Sequence, residues 1–311
     1  MITSITKTNK ALFRRVQELG KEVGNTPLIP LQHIFRSKKV KLFAKQEWKQ
    51  FSGSVKARAA YQIIRDAVAN YELDEDIRLL DATSGNTGIA YAMIGQRLGI
   101  KITLCLPENA SKERKEILTN TGAEIILTSK FEGTDGAQQV ARELAAAHPD
   151  KYFYADQYKN ENNWKAHYET TAPEIYTGLP GITHFVAGLG TTGTFVGTGR
   201  RLKEFNPAIR LISLQPDSAL HALEGWKHLE TAVVPGIYDP ALADENLEVS
   251  TEEAYEYLKA ILKYEGWLVS PSAAANVAGA IKAAKGLDEG VVVTVLPDNA
   301  DKYGDVIKKI V

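Results

Sequence analysis

Short apolar runs alternate with segments of helical periodicity along most of the chain, and this alternation restricts the fold more than any other feature. Several runs are apolar at nearly every position, as expected for parallel strands covered on both faces. The predicted strands are 40–44, 77–82, 101–106, 124–128, 183–187, 210–215 and 291–296. The predicted helices are 57–70, 88–98, 111–120, 136–147, 194–205, 252–265 and 273–285. The two alternating patterns predict a doubly wound α/β fold.

Length and charge limit the domain organisation and the partners. A chain of 311 residues corresponds to one large or two medium domains. The pattern breaks near residue 150 and has an earlier crossing near 45, so we expect a smaller domain over 45–150 and a larger one formed by 1–44 and 151–311. The 37 basic and 38 acidic residues give a net charge of −1, so no global field favours nucleic acid or an anionic membrane.

The cysteine count and the hydropathy pattern limit the cellular compartments in which we expect this protein. The single cysteine, Cys105, cannot form an internal disulfide and argues against a cysteine-rich metal centre. No apolar run approaches the length of a membrane span, and the N-terminus has no apolar signal core. Its Leu12, Val16 and Leu19 have helical spacing and predict a docking helix. We therefore expect a soluble cytoplasmic protein that uses no metal.

A glycine-rich loop, GLGTTG at 188–193, lies between a predicted strand and a predicted helix. Backbone amides at such a helix N-terminus can bind a phosphate. Dinucleotide binding would also require an acid at the end of the next strand, where the chain has Gln215. A phosphomonoester therefore fits better, although NAD binding and a tight turn without a ligand remain alternatives. Three hydroxyls could add to its binding, those of Thr191, Thr192 and Thr194.

Two more loops contain candidate functional residues. TSGNTG at 83–88 presents hydroxyls and an amide at a helix N-terminus, where a carboxylate can bind. Plain capping by Ser84 or Thr87 is the alternative. Lys56 lies among small residues at the start of another predicted helix, where its ammonium opposes the helix dipole. This position makes Lys56 a candidate for Schiff-base formation, and a solvated surface lysine is the alternative.

These loops together resemble one family, the cysteine synthase group of fold-type II pyridoxal-phosphate enzymes. The resemblance rests on GNTPLIPL (24–31), SGSVKARAA (52–60), TSGNTG (83–88), GLGTTGT (188–194) and SPSAAAN (270–276), which occur in the family's order and spacing. With 155–175 and 296–304 it covers residues 24–303. It implies a fold like the tryptophan synthase β subunit, with two open, twisted, mostly parallel sheets flanked by helices. It also implies pyridoxal 5'-phosphate as cofactor, a mobile smaller domain and a homodimer.

The resemblance implies a role for each motif residue. Lys56 would form the Schiff base with the cofactor, Asn86 would hydrogen-bond the ring hydroxyl, and Ser272 would face the ring nitrogen. Capping of helix 273–285 is an alternative role for Ser272. The cofactor phosphate would be bound by Gly190, Thr191, Thr192, Gly193 and Thr194. The α-carboxylate of the substrate would be bound by Thr83, Ser84, Thr87 and Gln157.

The implied activity is a β-replacement that makes L-cysteine from O-acetylserine or O-phosphoserine and a sulfur donor, through an aminoacrylate intermediate. A neutral serine at the ring nitrogen suits elimination across Cα–Cβ better than chemistry that needs a long-lived carbanion. Serine or threonine dehydration or racemisation on the same fold is an alternative. Another β-replacement, such as diaminopropionate synthesis, and a catalytically silent binding protein are further alternatives.

The chain departs from the family pattern in two places. Ala57 stands where the family usually has an acid, and 215–240 lacks the glycine-rich segment of the common O-acetylserine enzymes. This second region resembles more closely the branch that uses phosphoserine or thiosulfate. His221 and Lys227 are therefore candidates for binding a phosphate leaving group, and solvated loop charges are the alternative.

Overall fold

The computed structural model describes residues 7–83 and 85–310. The strands are β1 (Leu28–Pro30), β2 (Val40–Gln46), β3 (Arg78–Ala82), β4 (Ile102–Pro107), β5 (Glu124–Thr128), β6 (Tyr152–Tyr154), β7 (His184–Gly188), β8 (Arg210–Pro216), β9 (Glu245–Val249) and β10 (Gly290–Leu296). The α-helices are α1 (Lys7–Gly20), α2 (Lys56–Ala69), α3 (Asn86–Leu98), α4 (Lys112–Asn120), α5 (Gly133–Ala147), α6 (Asn162–Ala166), α7 (Ala172–Gly178), α8 (Gly193–Phe205), α9 (Thr251–Glu265), α10 (Pro271–Lys285) and α11 (Gly304–Ile310). The turns Glu47–Lys49 and Ala300–Lys302 are 3-10 helical, and His167–Thr171 is a turn of π-helix.

The chain forms two compact units. Unit 1 contains the described residues up to Val23 together with Lys56–Asn162, and unit 2 contains Gly24–Val55 and the chain from Asn163 onward. Both units combine a sheet with helices, so the predicted α/β architecture is confirmed. Along the described ranges, no helix has both the length and the apolar character that are needed to cross a bilayer.

Unit 1 is built on a four-stranded parallel sheet with the order β5-β4-β3-β6. Every residue of β4 is buried, as its continuous apolar sequence predicts for a strand covered on both faces. Helix α2 packs an apolar stripe that includes Ile63, Ile64 and Ala67. The carboxyl ends of β3 and β6 lead into the loops that hold candidate site residues.

Unit 2 is built on a six-stranded sheet with the order β1-β2-β10-β7-β8-β9. All pairings are parallel except that of β1 with β2. Helix α10 is almost wholly buried, because its sequence is alanine-rich on every face. Its N-cap is Ser270, whose hydroxyl accepts from the Ala273 amide at 3.1 Å.

The division differs from the predicted domains in its bounds. The boundaries between the units fall at 23/24, 55/56 and 162/163, whereas boundaries near 45 and 150 were expected. The stretch that ends at Val55 stays with unit 2 because Ser54 pairs with Asp298 and the Val55 amide donates to the carbonyl of Pro297 at 2.8 Å. Helix α1 lies in unit 1, whereas residues 1–44 were assigned to the larger domain.

The N-terminal helix packs within unit 1 through its apolar side. Leu12, Val16 and Leu19 are at most 4% exposed, which confirms the predicted docking helix. Arg15 of the same helix forms an ion pair with Glu75. The apolar stripe therefore explains why this helix belongs to unit 1.

Candidate active site

The first candidate loop connects β3 to α3 in unit 1. Thr83 and Thr87 are buried, and Asn86 is the first residue of α3. Among the residues that the structure describes, no side chain caps α3 at Gly85, and the first turn of α3 contains no acid, so its N-terminus keeps its positive character. These features suit an anion such as a carboxylate. Ser84, predicted as a further ligand, lies outside the described residues.

Gln157 is brought to this loop by a turn that follows β6. Asp156 has a left-handed backbone (φ 40°), and its carbonyl accepts from the amides of Lys159 and Asn160. The hydroxyl of Thr87 donates to Oε1 of Gln157 at 2.7 Å, and both side chains are buried. Three of the four residues predicted to bind the substrate carboxylate, Thr83, Thr87 and Gln157, thus lie on two adjoining loops of unit 1.

Lys56 is the first residue of α2 and is half-buried. The helix starts one residue before the predicted start, so Lys56 is helical and its ammonium lies at the positive end of the dipole. Ala57, which replaces the family's acid, is fully buried, and Arg58 is only 1% exposed. Lys56 is therefore followed directly by buried residues, which argues against the alternative that it is a solvated surface lysine.

The phosphate loop, residues 188–194, connects β7 to α8 in unit 2, and it can be built only with glycine at three positions. A Cβ on Gly190 would lie 1.9 Å from the carbonyl oxygen of Gly225, and one on Gly193 would lie 2.0 Å from Oδ1 of Asn163. A Cβ on Gly188 would collide with the ring of Trp226 at 2.1 Å. The glycines therefore allow the loop to pack closely against its neighbours.

The three hydroxyls of the phosphate loop have different partners. Thr191 accepts from Nδ2 of Asn163 at 3.0 Å, and Thr194 lies 3.2 Å from Nε2 of His167. Thr192 has a left-handed backbone (φ 72°), and its buried hydroxyl has no hydrogen-bond partner among the described residues. Helix α8 has no acid in its first turn. An unsatisfied hydroxyl beside the N-terminus of a 13-residue helix fits a bound phosphate.

Two residues of α10 contribute to unit 2's candidate site. Asn276 accepts from the amide of Gly188 at 2.7 Å and donates to the carbonyl of Val295 at 2.8 Å, so it fixes the start of the phosphate loop. Ser272 is buried, and its hydroxyl lies 3.1 Å from that of Ser270. Because Ser270 caps the helix, the alternative that Ser272 is the N-cap is wrong.

The candidate leaving-group residues lie on the segment that packs behind the phosphate loop. The Lys227 amide donates to the carbonyl of Leu189 at 2.8 Å, and its Nζ lies 3.4 Å from the carbonyl of Val233. His221 is half-buried, and burial followed by the charge of His228 lowers its pKa. A lowered pKa favours the neutral imidazole, which weakens His221 as a phosphate ligand. No helix or strand interrupts 217–244, in line with the irregular stretch expected there.

Sequence reasoning did not identify the residues that support the phosphate loop. Asn163 lies in α6, and His167 begins the π-helical turn that follows this helix. His167 contacts Thr171 through Nδ1 at 2.9 Å in addition to Thr194. A π-helical turn is a frequent mark of a functional site, but its hydrogen bonds are visible only in the structure.

The chain is similar to known proteins over most of its length. Residues 19–298 match the family model described as pyridoxal-phosphate dependent enzyme. A cysteine synthase of Aquifex aeolicus is 44% identical over 94% of this chain and 92% of its own length. A cysteine synthase B of Escherichia coli is 37% identical over 92% of this chain and 93% of its own. The crystal structure of an O-acetylserine dependent cystathionine β-synthase from Helicobacter pylori has a TM-score of 0.85 at 34% identity, covering 92% of this chain and 96% of that one.

The fold and the phosphate loop define an α/β enzyme that binds a phosphorylated cofactor. The chain belongs to the family of pyridoxal-phosphate dependent enzymes. The predicted family, the fold-type II architecture and the cofactor are thereby confirmed. The glycine cradle and the unsatisfied Thr192 hydroxyl fit the phosphate of that cofactor.

Proposed function

We propose that this enzyme makes L-cysteine by exchanging a leaving group on Cβ of an activated serine for sulfur. The bond between Thr87 and Gln157 carries the proposal, because it joins residues 70 positions apart into one buried polar site at the end of the unit 1 sheet. Hydroxyls, an amide and a helix N-terminus suit the α-carboxylate of an amino acid. Relatives named cysteine synthase support sulfur as the incoming nucleophile and do not favour a dehydratase.

Each candidate residue takes a defined part in this proposal. Pyridoxal phosphate, when bound, supplies an electron-withdrawing ring that acidifies the proton on Cα. Residues 190–194 would hold its phosphate, Asn86 would hydrogen-bond its ring hydroxyl, and Ser272 would offer a neutral partner to the ring nitrogen. The substrate carboxylate is bound by Thr83, Ser84, Thr87 and Gln157.

Lys56 is proposed to do the proton chemistry. Its amine holds the cofactor before the substrate arrives, then takes the proton from Cα and later returns it. The leaving group departs from Cβ with its bonding electrons, and a sulfide adds to the same carbon. The chain's other site residues bind and orient the substrate during this exchange.

Reduction by borohydride tests the proposed role of Lys56. The purified enzyme should absorb in the visible range, and borohydride should remove that band and leave a stable label on Lys56, located by peptide mass spectrometry. Lys56→Ala should lose both the label and cysteine formation from O-acetylserine and sulfide, whereas Lys101→Ala, an exposed lysine of the same unit, should keep both. A colourless protein that gains no band on adding pyridoxal phosphate would refute the proposal.

Acetate and phosphate are the two candidate leaving groups of the activated serine. If Lys227 binds a phosphate leaving group, Lys227→Ala should lower kcat/KM for O-phosphoserine about tenfold and leave kcat/KM for O-acetylserine unchanged. His228→Ala, on the same segment, serves as the control. Equal loss with both substrates, or no loss with phosphoserine, rejects this role.

We also propose that the enzyme acts as a homodimer in the cytoplasm on small-molecule substrates. The family resemblance supports the dimer, and the single cysteine is in keeping with a reducing compartment. Light scattering of the eluting enzyme should give about twice the chain mass of 34.2 kDa. A mass of one chain at working concentrations would reject the dimer.

A further inference from the structure

A stripe of polar side chains, spaced four residues apart, follows α6 and the π-helical turn of unit 2. Its members are Asn163, His167 and Thr171, and each is at most 2% exposed. Residues at this spacing lie on one face of a helix. The proposed chemistry gives none of the three a role, although their hydrogen bonds lead to the phosphate loop.

The polar stripe contacts two hydroxyls of the phosphate loop. Nδ2 of Asn163 donates to Oγ1 of Thr191 at 3.0 Å. Nε2 of His167 lies 3.2 Å from Oγ1 of Thr194, and Nδ1 of the same ring lies 2.9 Å from Oγ1 of Thr171. All five residues belong to unit 2. The imidazole of His167 therefore joins Thr171, which lies outside the loop, to Thr194 in the first turn of α8.

The chemistry of these groups determines the direction of their hydrogen bonds when a phosphate is bound. The amide nitrogen of Asn163 only donates, so the oxygen of Thr191 accepts and its proton can point to another acceptor. A neutral imidazole has one donor and one acceptor nitrogen, and its partners select the tautomer. The phosphate dianion only accepts. If Thr194 donates to it, Thr194 must accept from Nε2 of His167, and Nδ1 must accept from the hydroxyl of Thr171.

We propose that His167 is a positioning residue for the cofactor phosphate, held by Thr171 as the tautomer with a proton on Nε2, so that the hydroxyl proton of Thr194 points to the phosphate. This inference rests on the proposed role of residues 190–194 in holding that phosphate. His167 acts through Thr194 and is not itself a phosphate ligand in this arrangement. No proton is transferred, because each donor keeps its own.

The burial of the polar stripe makes its partners matter for binding. His167 is 1% exposed and Thr171 is 0% exposed, so bulk water does not reach either side chain. A buried polar group that loses its partner bears the full cost of its desolvation. Hydrogen bonds in a chain also polarise one another. Loss of the Thr171 hydroxyl should therefore weaken phosphate binding at Thr194, although Thr171 does not belong to the loop.

Cofactor binding by Thr171→Val tests the inference, because valine removes the hydroxyl beside Nδ1 and leaves Thr194 intact. In absorbance titrations of the cofactor-free enzyme we expect the Kd for pyridoxal phosphate to rise about fivefold. The Kd for pyridoxal, which lacks the phosphate, should not change. Thr170→Val is the matched control, because it removes a hydroxyl of the same turn that donates to the carbonyl of Ala166. It should leave both Kd values unchanged. An equal rise in the two Kd values of Thr171→Val would show a general structural role and overturn the inference.

The tautomer of His167 gives a second readout, which stays available even if Thr171→Val fails to fold. Nitrogen NMR of the wild-type holoenzyme with isotope-labelled histidine distinguishes protonated from unprotonated ring nitrogens. The signals of His167 are those missing from the spectrum of His167→Gln. We expect a proton on Nε2 and none on Nδ1. A proton on Nδ1 in the holoenzyme would overturn the inference.

Thr194→Val distinguishes a failure of this inference from a failure of the proposed phosphate site. It removes the hydroxyl from which the phosphate is proposed to accept, so the Kd for pyridoxal phosphate should rise about tenfold. If Thr194→Val raises this Kd and Thr171→Val leaves it unchanged, the role of His167 alone is rejected. If neither variant changes it, the proposed role of Thr194 in phosphate binding is rejected, and this inference with it.

Discussion

At the scale of single residues, the unit 2 site retains features that cost folding free energy. Thr192 combines a left-handed backbone with a buried hydroxyl that has no partner in the described part of the chain. Each feature costs about 1–3 kcal/mol in a folded protein. A phosphate beside the α8 N-terminus would accept from that hydroxyl and offset its cost. We therefore expect the free-energy cost at Thr192 to be smaller when the cofactor is bound.

Thr192→Val tests the contribution of the hydroxyl, because it leaves the shape of the side chain unchanged. Valine keeps the branched Cβ, so the backbone strain is unchanged and only the hydroxyl is lost. The Kd for pyridoxal phosphate should rise about tenfold or more, while the cofactor-free protein should be as stable as the wild type or more stable. Absorbance titration of the cofactor-free enzyme gives the Kd, and chemical unfolding gives the stability.

Thr198→Val is the matched control for this experiment. Thr198 also lies on α8 with a buried hydroxyl that has no partner among the described residues, but it is outside the phosphate loop. Its substitution should leave the Kd for the cofactor unchanged. Equal Kd values for the two variants would show that Thr192 does not bind the phosphate.

At the scale of elements, the phosphate loop depends on neighbours that are distant in the sequence. Gly190 packs on the backbone of Gly225, and Gly193 packs on Asn163. The start of the loop is fixed by Asn276 from α10. The loop therefore has its conformation only when these other elements have formed around it.

Gly190→Ala should show how strictly this packing is required. The new Cβ would lie 1.9 Å from a backbone oxygen, which cannot rotate away. We expect a loss of about 1–3 kcal/mol of unfolding free energy and a marked loss of cofactor affinity. Gly178→Ala, whose Cβ would meet only Leu28 at 3.6 Å, should leave both quantities near the wild-type values. Similar losses in the two variants would argue against the close approach at Gly190.

The sequence predicts the long elements well because their periodicity is a local property. Helix α9 was predicted at 252–265 and is observed at Thr251–Glu265, between a Ser250 cap and a left-handed Gly266. Strands β1 and β6 have only three residues each and owe their existence to pairing with distant strands, so no local pattern predicts them. The π-helical turn at His167–Thr171 has no sequence pattern of its own either.

The same distinction applies to the site. The candidate loops after strand ends could be predicted from the sequence. Glycines, hydroxyl side chains and a lysine that occur together at helix starts have few roles other than ligand binding. Asn163, His167 and Asn276 were not predicted, because each contacts a hydroxyl or a backbone amide whose position only the fold determines.

At the scale of the whole molecule, each unit is assembled from chain segments that are far apart. Strand β2 near residue 40 pairs with β10 near 290 in unit 2, and α1 joins unit 1 across an intervening stretch of unit 2. Sequence patterns give no direct measure of such non-local pairing, so they do not reveal that the chain up to Val23 belongs to unit 1. Properties of the whole chain, such as its stability, nonetheless depend on single buried groups.

The carboxyl of Asp81 is one such group, because its titration links folding to pH. Its burial on β3 raises its pKa from the ordinary 3.8 to about 7. Between these two values the folded protein holds a proton that the unfolded chain has lost. The stability contributed by this proton is complete below about pH 4 and is lost progressively as the pH rises to about 7. A shift of about three units corresponds to about 4 kcal/mol.

Asp81→Asn should therefore differ from the wild type in unfolding free energy by an amount that depends on pH. The amide of the variant cannot titrate, so the variant should gain stability relative to the wild type as the pH rises from about 5 to about 7, and the difference should level off above this range. Guanidinium unfolding of the cofactor-free proteins measures this difference in unfolding free energy. Thr128→Val, which removes a buried hydroxyl from β5 of the same sheet, should differ from the wild type by an amount that does not depend on pH. If the difference between Asp81→Asn and the wild type is also independent of pH, Asp81 does not titrate in the folded protein as its burial requires.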